Sequence, residues 1–251
     1  SDAAHATTLR VFLHTWQPGH APANGIFVAG HKLMKRFAFF VTFVVLAAMA
    51  HAEVDFRRLE ALALERYGEP AVETVKQWRA LLETSLGAPD ADKLRLANTF
   101  FNERVRFLDD EVVWGERDYW ATPLEVMGRR QGDCEDFSVA KYATLLLLDV
   151  PLEKLRLVYV KAAFGGPTSR VTRAHMVVAY YPDPKSPPLI LDNLITEILP
   201  ATQRPDLAPV FSFNSEGLWV GQAARPADTQ PGERLSRWRR VLQRMQDEGL
   251  R

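Results

Sequence analysis

The chain contains very little cysteine and histidine. Its 251 residues include one cysteine, Cys134, so no internal disulfide bond can form. Of its six histidines, only His175 follows residue 52. A thiol is mostly protonated at neutral pH, and a neighbouring imidazole can remove its proton. Cys134 and His175 therefore supply the two side chains that thiolate catalysis needs at a minimum. Because there is one candidate of each kind, the sequence leaves little freedom in assigning their roles.

The chain also lacks a strong net charge. It has 31 Lys and Arg and 31 Asp and Glu, and four of the basic residues but only one acidic residue precede residue 53. The remainder therefore has a net charge of −3, which argues against nucleic acid as the principal partner. The sequence shows no internal repeat and no glycine-rich loop of the kind that cradles phosphate.

An apolar run near the start is short for a membrane span. The basic residues Lys35 and Arg36 precede this run of about a dozen residues, and the small residues Ala50 and Ala52 flank a candidate cleavage site. This order is typical of a cleavable secretory signal, whereas a bilayer span needs roughly 20 residues. We therefore expect an exported protein without stable membrane insertion, the alternative being a retained anchor.

Three segments follow from this interpretation. Residues 34–52 are predicted to be the signal peptide, and residues 1–33 to be an upstream over-read or unstructured. Residues 53–251 are predicted to form one domain, since their number suffices for a substantial core. In an oxidising compartment, an unpaired thiol such as Cys134 is either buried and inert or kept for its chemistry.

The apolar pattern changes from helical to strand-like along the predicted domain. Helical spacing marks three helices before residue 109, a short helix after the Thr122–Glu125 capping box, a long helix from Cys134 and a basic C-terminal helix. Short β-branched runs at 155–161, 175–181 and 189–193 predict strands. Helices followed by an antiparallel sheet indicate an α+β fold. We expect the C-terminal helix to pack on the domain, with contact to a membrane surface as the alternative.

A candidate catalytic site combines the helix from Cys134 with two strands. At the start of a helix, unpaired N–H groups stabilise a thiolate and can also hold an oxyanion. His175 and Asp192 fall on consecutive strands, where they can lie side by side as a base and its orienting carboxylate. Three alternatives stay open: a buried inert thiol, a structural histidine, and a turn-capping Asp192 with Asn193 orienting His175 instead.

Three carboxylates surround the predicted nucleophile. Asp133, Glu135 and Asp136 should raise the pKa of the Cys134 thiol by charge repulsion, against the effect of the helix dipole. Acidic residues also favour a helix N-terminus for structural reasons alone. Calcium prefers several carboxylate oxygens, so our hypothesis is that Ca²⁺ neutralises the cluster and lets the thiolate form, although no EF-hand pattern is present.

These motifs resemble a known family. The run Gly132–Ser138 ahead of an apolar helix, followed by His175 and Asp192 on strands, resembles the transglutaminase-like branch of the papain-like superfamily. The upstream run Trp120–Glu125, the export signal and the length resemble the bacterial transglutaminase-like cysteine proteinases. The resemblance implies a papain/transglutaminase-like fold, with N-terminal helices packed on an antiparallel sheet and the catalytic cysteine at a helix N-terminus.

The same resemblance implies roles for individual residues. Cys134 would be the nucleophile, His175 the base and later the acid, and Asp192 the orienting carboxylate. Asp133 and Glu135 match the family's calcium ligands, and Asp136 is predicted to join them.

It also implies a biological setting: a calcium-dependent periplasmic endopeptidase that cuts a large surface adhesin near its N-terminus, at a paired-alanine site. The cut releases the adhesin and disperses biofilm, and an inner-membrane receptor for cyclic di-GMP sequesters the protease. The alternatives are a transglutaminase or amidase, which uses the same thioester, and a non-catalytic binding module.

Overall fold

The computed structural model describes residues 54–164, 171–220 and 232–250. The predicted signal peptide at 34–52 and the stretch 1–33 lie outside the described residues. Among the helices that are described, none is long and apolar enough to cross a bilayer.

Three helices open the described chain, as the apolar spacing predicts. They are α1 (Phe56–Tyr67), α2 (Glu69–Ser85) and α3 (Asp90–Arg104). Their inward faces are buried, with Leu59, Trp78 and Phe101 fully so. The prediction that the third helix continues to Leu108 is wrong, because Val105 adopts extended backbone.

The chain after α3 forms a small parallel pairing that leads into the site. Strand β1 (Arg106–Phe107) pairs with β2 (Gln131–Gly132), and between them lie α4 (Asp110–Val113) and α5 (Pro123–Arg129). The predicted capping box is present: the Thr122 hydroxyl accepts from the Glu125 N–H, and the Glu125 carboxylate accepts from the Thr122 N–H. Helix α6 (Cys134–Leu147) begins two residues after β2 ends and is buried over most of its length.

A six-stranded antiparallel sheet forms the second half of the fold. Its strands are β3 (Leu155–Ala163), β4 (Thr172–Tyr180), β5 (Leu189–Leu191), β6 (Leu199–Pro200), β7 (Leu207–Phe213) and β8 (Leu218–Val220). They lie in the order β6-β5-β4-β3-β7-β8, and every neighbouring pair is antiparallel. Three of these strands were predicted from sequence.

The sequence did not predict β6, β7 and β8, and it placed the start of β4 too late. Strand β4 begins at Thr172, so His175 lies inside the strand and pairs with Val160 rather than opening it. Strand β7 escaped detection because Pro209 cannot donate a ladder hydrogen bond and its residues before Ser212 are mostly exposed. The register between β3 and β7 shifts at Tyr159 and Val160.

The core lies between the helices and one face of the sheet, with α6 in the middle. The C-terminal helix α7 (Gly232–Asp247) packs there as expected: Trp238, Val241 and Met245 are buried. The Trp238 ring meets the rings of Tyr142 and Phe213 at centroid distances of 5.6 and 5.8 Å. This packing ties α7 to α6 and to β7.

Candidate active site

Cys134 is the first residue of α6. Asp133 caps the helix, with its Oδ1 accepting the Glu135 N–H at 3.2 Å. Gly132 is required before the cap, since a Cβ there would lie 2.6 Å from Asp136 Oδ2. The thiol therefore lies where the unpaired N–H groups of the first helical turn converge.

His175 and Asp192 meet at the junction of β4 and β5. These strands pair through Val178 and Leu191, and Asp192 follows the last residue of β5. Nε2 of His175 lies 2.8 Å from Oδ1 of Asp192, and both side chains are almost fully buried. The partner of the histidine is thus Asp192 and not Asn193, the other candidate.

The backbone of Met176 connects this pair to the cysteine. The Met176 carbonyl accepts from the Ser138 hydroxyl, one turn after Cys134 along α6, at 3.0 Å, and the Met176 N–H acts to lower the pKa of the Cys134 thiol. Because Met176 directly follows His175, the Ser138 contact brings the first turn of α6 to the part of β4 that carries the histidine. Nε2 of His175 is held by Asp192, which leaves Nδ1 as the other ring nitrogen.

Asp192 is ionised in a buried setting. Its Oδ1 also accepts the Leu194 N–H at 3.0 Å, and its Oδ2 accepts Arg204 Nη2 at 2.7 Å. Burial raises the pKa of Asp192, but the hydrogen bonds from His175, Leu194 and Arg204 outweigh it and hold that pKa to about 2. Sequence reasoning missed Arg204, since it follows a 3-10 turn and belongs to no recognisable motif.

The Cys134 thiol is held in its protonated form. It donates to Glu135 Oε2 at 2.7 Å, while Glu135 Oε1 accepts the Tyr159 hydroxyl at 2.7 Å. Burial raises the pKa of the thiol well above its ordinary value, and the charges of Glu135 and Asp133 raise it further. The Met176 N–H acts in the opposite direction without reversing the shift. The repulsion expected from the sequence is therefore present.

A buried carboxylate cluster lies on the other side of the helix start. Oxygens of Asp110, Asp133 and Asp136 all lie within 4.8 Å of one another. Asp136 accepts the Ala121 N–H at 2.7 Å, and Asp110 Oδ2 accepts the Tyr119 N–H at 2.6 Å. Sequence reasoning missed Asp110, whose only signal is the acidic run at 109–111.

The surroundings of this cluster favour the protonated forms of its carboxyls. Burial first, and the neighbouring carboxylates second, raise the pKa of Asp133 and Asp136 far above the usual range. Burial is also the main cause that raises the pKa of Asp110 to about 7. Asp110 Oδ1 is buried and has no hydrogen-bond partner among the described residues.

Several carboxylate oxygens with an unpartnered buried acceptor fit a hard cation such as Ca²⁺. Asp133 and Asp136, two of the three sequence-predicted ligands, belong to this cluster together with Asp110. The third, Glu135, points at the thiol and groups with Asp133 and Cys134 instead. The ligand set Asp133, Glu135 and Asp136 stays a prediction.

Comparison with known proteins identifies relatives of the chain. Residues 70–207 match the family described as bacterial transglutaminase-like cysteine proteinase, BTLCP. A comparison with curated protein sequences gives no match.

Among solved structures, LapG of Legionella pneumophila matches at 34% identity with a TM-score of 0.63, over 77% of this chain and 99% of that one. Calcium-bound LapG of the same organism matches at 34% identity and a TM-score of 0.65, over 76% and 99% of the two chains. EGTA-treated LapG gives the same identity and TM-score over 77% and 99%. These matches confirm the expected α+β, papain/transglutaminase-like fold. The chain belongs to the bacterial transglutaminase-like cysteine proteinases.

Proposed function

We propose that this protein is a calcium-dependent cysteine endopeptidase with Cys134, His175 and Asp192 as its catalytic triad. The observation that carries the proposal is the 2.8 Å contact between His175 Nε2 and Asp192 Oδ1, in a strand whose next residue, Met176, accepts the Ser138 hydroxyl of the helix that begins at Cys134. These contacts support the order of nucleophile, base and orienting carboxylate that the proposal requires.

The arrangement supports acyl transfer through a thioester. His175 takes the proton of Cys134, and the thiolate attacks the carbonyl carbon of the scissile peptide bond. N–H groups at the start of α6, including that of Cys134, hold the resulting oxyanion. His175 then protonates the departing amine as the C–N bond breaks. In the second half His175 deprotonates a water that attacks the thioester, and the proton returns to the leaving thiolate.

The carboxylate cluster of Asp110, Asp133 and Asp136 would hold the calcium ion. When bound, the ion supplies positive charge that offsets these carboxylates and so favours ionisation of the adjacent thiol. The solved calcium-bound form of Legionella LapG supports the choice of calcium as the cation. The chemical reason is independent of that likeness: without a cation, the environment of Cys134 opposes the ionisation that its role requires.

The biological part of the proposal rests on family membership and on the likeness to LapG. We propose that the protein acts in the periplasm and cleaves a large surface adhesin near its N-terminus, at a paired-alanine site. Cleavage releases the adhesin and promotes biofilm dispersal. An inner-membrane receptor that senses cyclic di-GMP sequesters the enzyme.

The test is incubation of the full chain with the N-terminal fragment of an adhesin from the same bacterium. We expect cleavage at the paired alanines with calcium present, loss of cleavage with EGTA, and recovery when calcium is restored. Cys134→Ala should bind the fragment without cutting it, and Glu103→Gln, which removes an exposed carboxylate, should cut normally. Cleavage by Cys134→Ala would refute the proposed nucleophile.

The same reaction separates the alternative activities. A transglutaminase would transfer the acyl group to an added primary amine in place of water, giving an amide product that mass spectrometry detects. A binding module would retain the fragment intact even with wild-type protein and calcium.

A further inference from the structure

Arg204 is a buried arginine whose side chain is committed to two carboxylates. Its side chain is 2% exposed. Nη2 donates to Asp192 Oδ2 at 2.7 Å and to Asp206 Oδ2 at 2.8 Å, and Nε donates to Asp206 Oδ1 at 3.0 Å. Asp206 thus grips the guanidinium at two nitrogens, which fixes the direction in which the third contact, to Asp192, can point.

We propose that Arg204 is a positioning residue of the active site, held by Asp206, that keeps the Asp192 carboxylate aimed at His175. The inference rests on the proposed function, because it concerns the same triad. Arg204 touches neither the thiol nor the imidazole in the described contacts, so it acts through Asp192.

The contacts of Asp192 indicate that Arg204 orients this carboxylate and does not merely neutralise its charge. Asp192 uses Oδ1 for His175 and for the Leu194 N–H, so Oδ2 would be without a charged partner if Arg204 were absent. A carboxylate anchored at one oxygen can rotate about its Cβ–Cγ bond, which would turn Oδ1 away from Nε2. The anchor at Oδ2 removes that freedom.

The charges around Asp192 make the anchor necessary. Lys141 of α6 is the other basic side chain that acts on Asp192, but its Nζ has no hydrogen-bond partner among the described residues. Lys141 therefore adds positive charge near Asp192 but makes no described hydrogen bond that would orient the carboxylate. Asp206 also limits the electrostatic effect of Arg204, because its negative charge offsets most of the guanidinium charge that His175 would otherwise meet.

The experiment compares Arg204→Met, Arg204→Lys and Asp206→Asn with wild type on the adhesin fragment. The matched control is Arg156→Met, which removes an arginine that stacks on Trp219 in the same sheet, away from the triad. We expect Arg204→Met to lower kcat about tenfold or more with KM changed less than about twofold, because the loss is one of orientation. Arg204→Lys should recover part of kcat.

The pH profile separates positioning from a purely structural role. Removing a positive charge beside the Asp192–His175 pair should move the profile of kcat/KM to higher pH in Arg204→Met, and removing a negative charge should move it to lower pH in Asp206→Asn. Arg204→Lys keeps the charge and should leave the profile in place. Asp192, which contacts His175, and Lys141, whose charge acts on Asp192, are unchanged in all three variants.

Two results would overturn the proposal: a kcat for Arg204→Met equal to that of Arg156→Met, or a loss that falls on KM. If Arg204→Met does not fold in urea-unfolding controls, Arg204→Lys and Asp206→Asn carry the same comparison. Alkylation by iodoacetamide at pH 7 supplies a readout without substrate, since Cys134 is the only cysteine. Slower alkylation in Arg204→Met than in Arg156→Met supports the positioning role even if the adhesin proposal fails, and equal rates contradict it.

Discussion

Replacing Asp110 by Asn should have opposite effects on stability with and without calcium. The Asp110 carboxyl belongs to the buried cluster with Asp133 and Asp136, and burial with neighbouring charge raises its pKa to about 7 from 3.8. Asparagine has nearly the same shape and carries no charge. Its Oδ1 can still accept the Tyr119 N–H, and its NH₂ group can donate to the neighbouring carboxylates.

The magnitude follows from the pKa shift of Asp110. A folded pKa above the unfolded value means that the folded state resists ionisation, so stability is lost as pH rises from about 4 to about 7. A shift of about three pKa units corresponds to about 4 kcal/mol at neutral pH. In EGTA at pH 7.5, Asp110→Asn should therefore be more stable than wild type by about 2–4 kcal/mol, and near pH 4 the difference should vanish.

Calcium should reverse this order. A ligand that binds only the folded state at 1,000 times its Kd adds about 4.1 kcal/mol, and the variant lacks one carboxylate with which to bind it. Urea unfolding in EGTA and in excess calcium, at pH 7.5 and pH 4, measures both effects. A variant less stable than wild type in EGTA, or one that calcium stabilises equally, would show that Asp110 is not part of a cation site.

Three further changes test the electrostatics and the packing of the site. Because the pKa of Asp192 is lowered to about 2, this carboxylate should contribute about 2 kcal/mol that is present above pH 4 and lost towards pH 2; Asp192→Asn should lack this acid-dependent loss in urea unfolding and should lower kcat at least a hundredfold. Burial lowers the pKa of Lys141 to about 7, a penalty that is full below pH 7 and gone above about pH 10.4. Lys141→Met should therefore raise stability by about 1–4 kcal/mol at pH 6 and by less at pH 10, and a destabilised variant at pH 6 would contradict this reasoning. Gly132→Ala should weaken calcium binding measured by calorimetry, since the new Cβ would push against Asp136; unchanged affinity would show that the cluster tolerates the displacement.

The parts of the fold that the sequence predicted are those with strong local signals. Helices α1, α2 and α6 show a buried face at helical spacing, and the capping box at Thr122 fixes the start of α5. Strand β7 was missed because Pro209 and its exposed neighbours resemble a loop. Its place is decided by pairing with β3, which is distant in the chain.

The residues of the candidate site likewise fall into those that a strong local signal made predictable and those that lack such a signal. Cys134, His175 and Asp192 could be proposed because each is a rare or motif-borne residue in or next to a recognisable element. Asp110 and Arg204 could not, since an aspartate in an acidic run and an arginine after a turn are ordinary surface residues by pattern. Only the folded chain shows that both are buried, at 6% and 2% exposure, beside other charges.

The Asp192 end and the Cys134 end of the proposed triad differ in how the protein compensates their charges. This difference indicates which of the two calcium would control. At the Asp192 end the protein supplies its own compensation, because Arg204 is bonded to the carboxylate and the pKa of Asp192 is low. At the Cys134 end the backbone N–H groups do not outweigh burial and repulsion: the Asp110, Asp133 and Asp136 carboxyls keep raised pKa values, and the thiol donates to Glu135. The proposed mechanism requires compensation at both ends. We therefore expect calcium to act on the nucleophile, and the contacts of Asp192 with His175 and Arg204 to be in place without it.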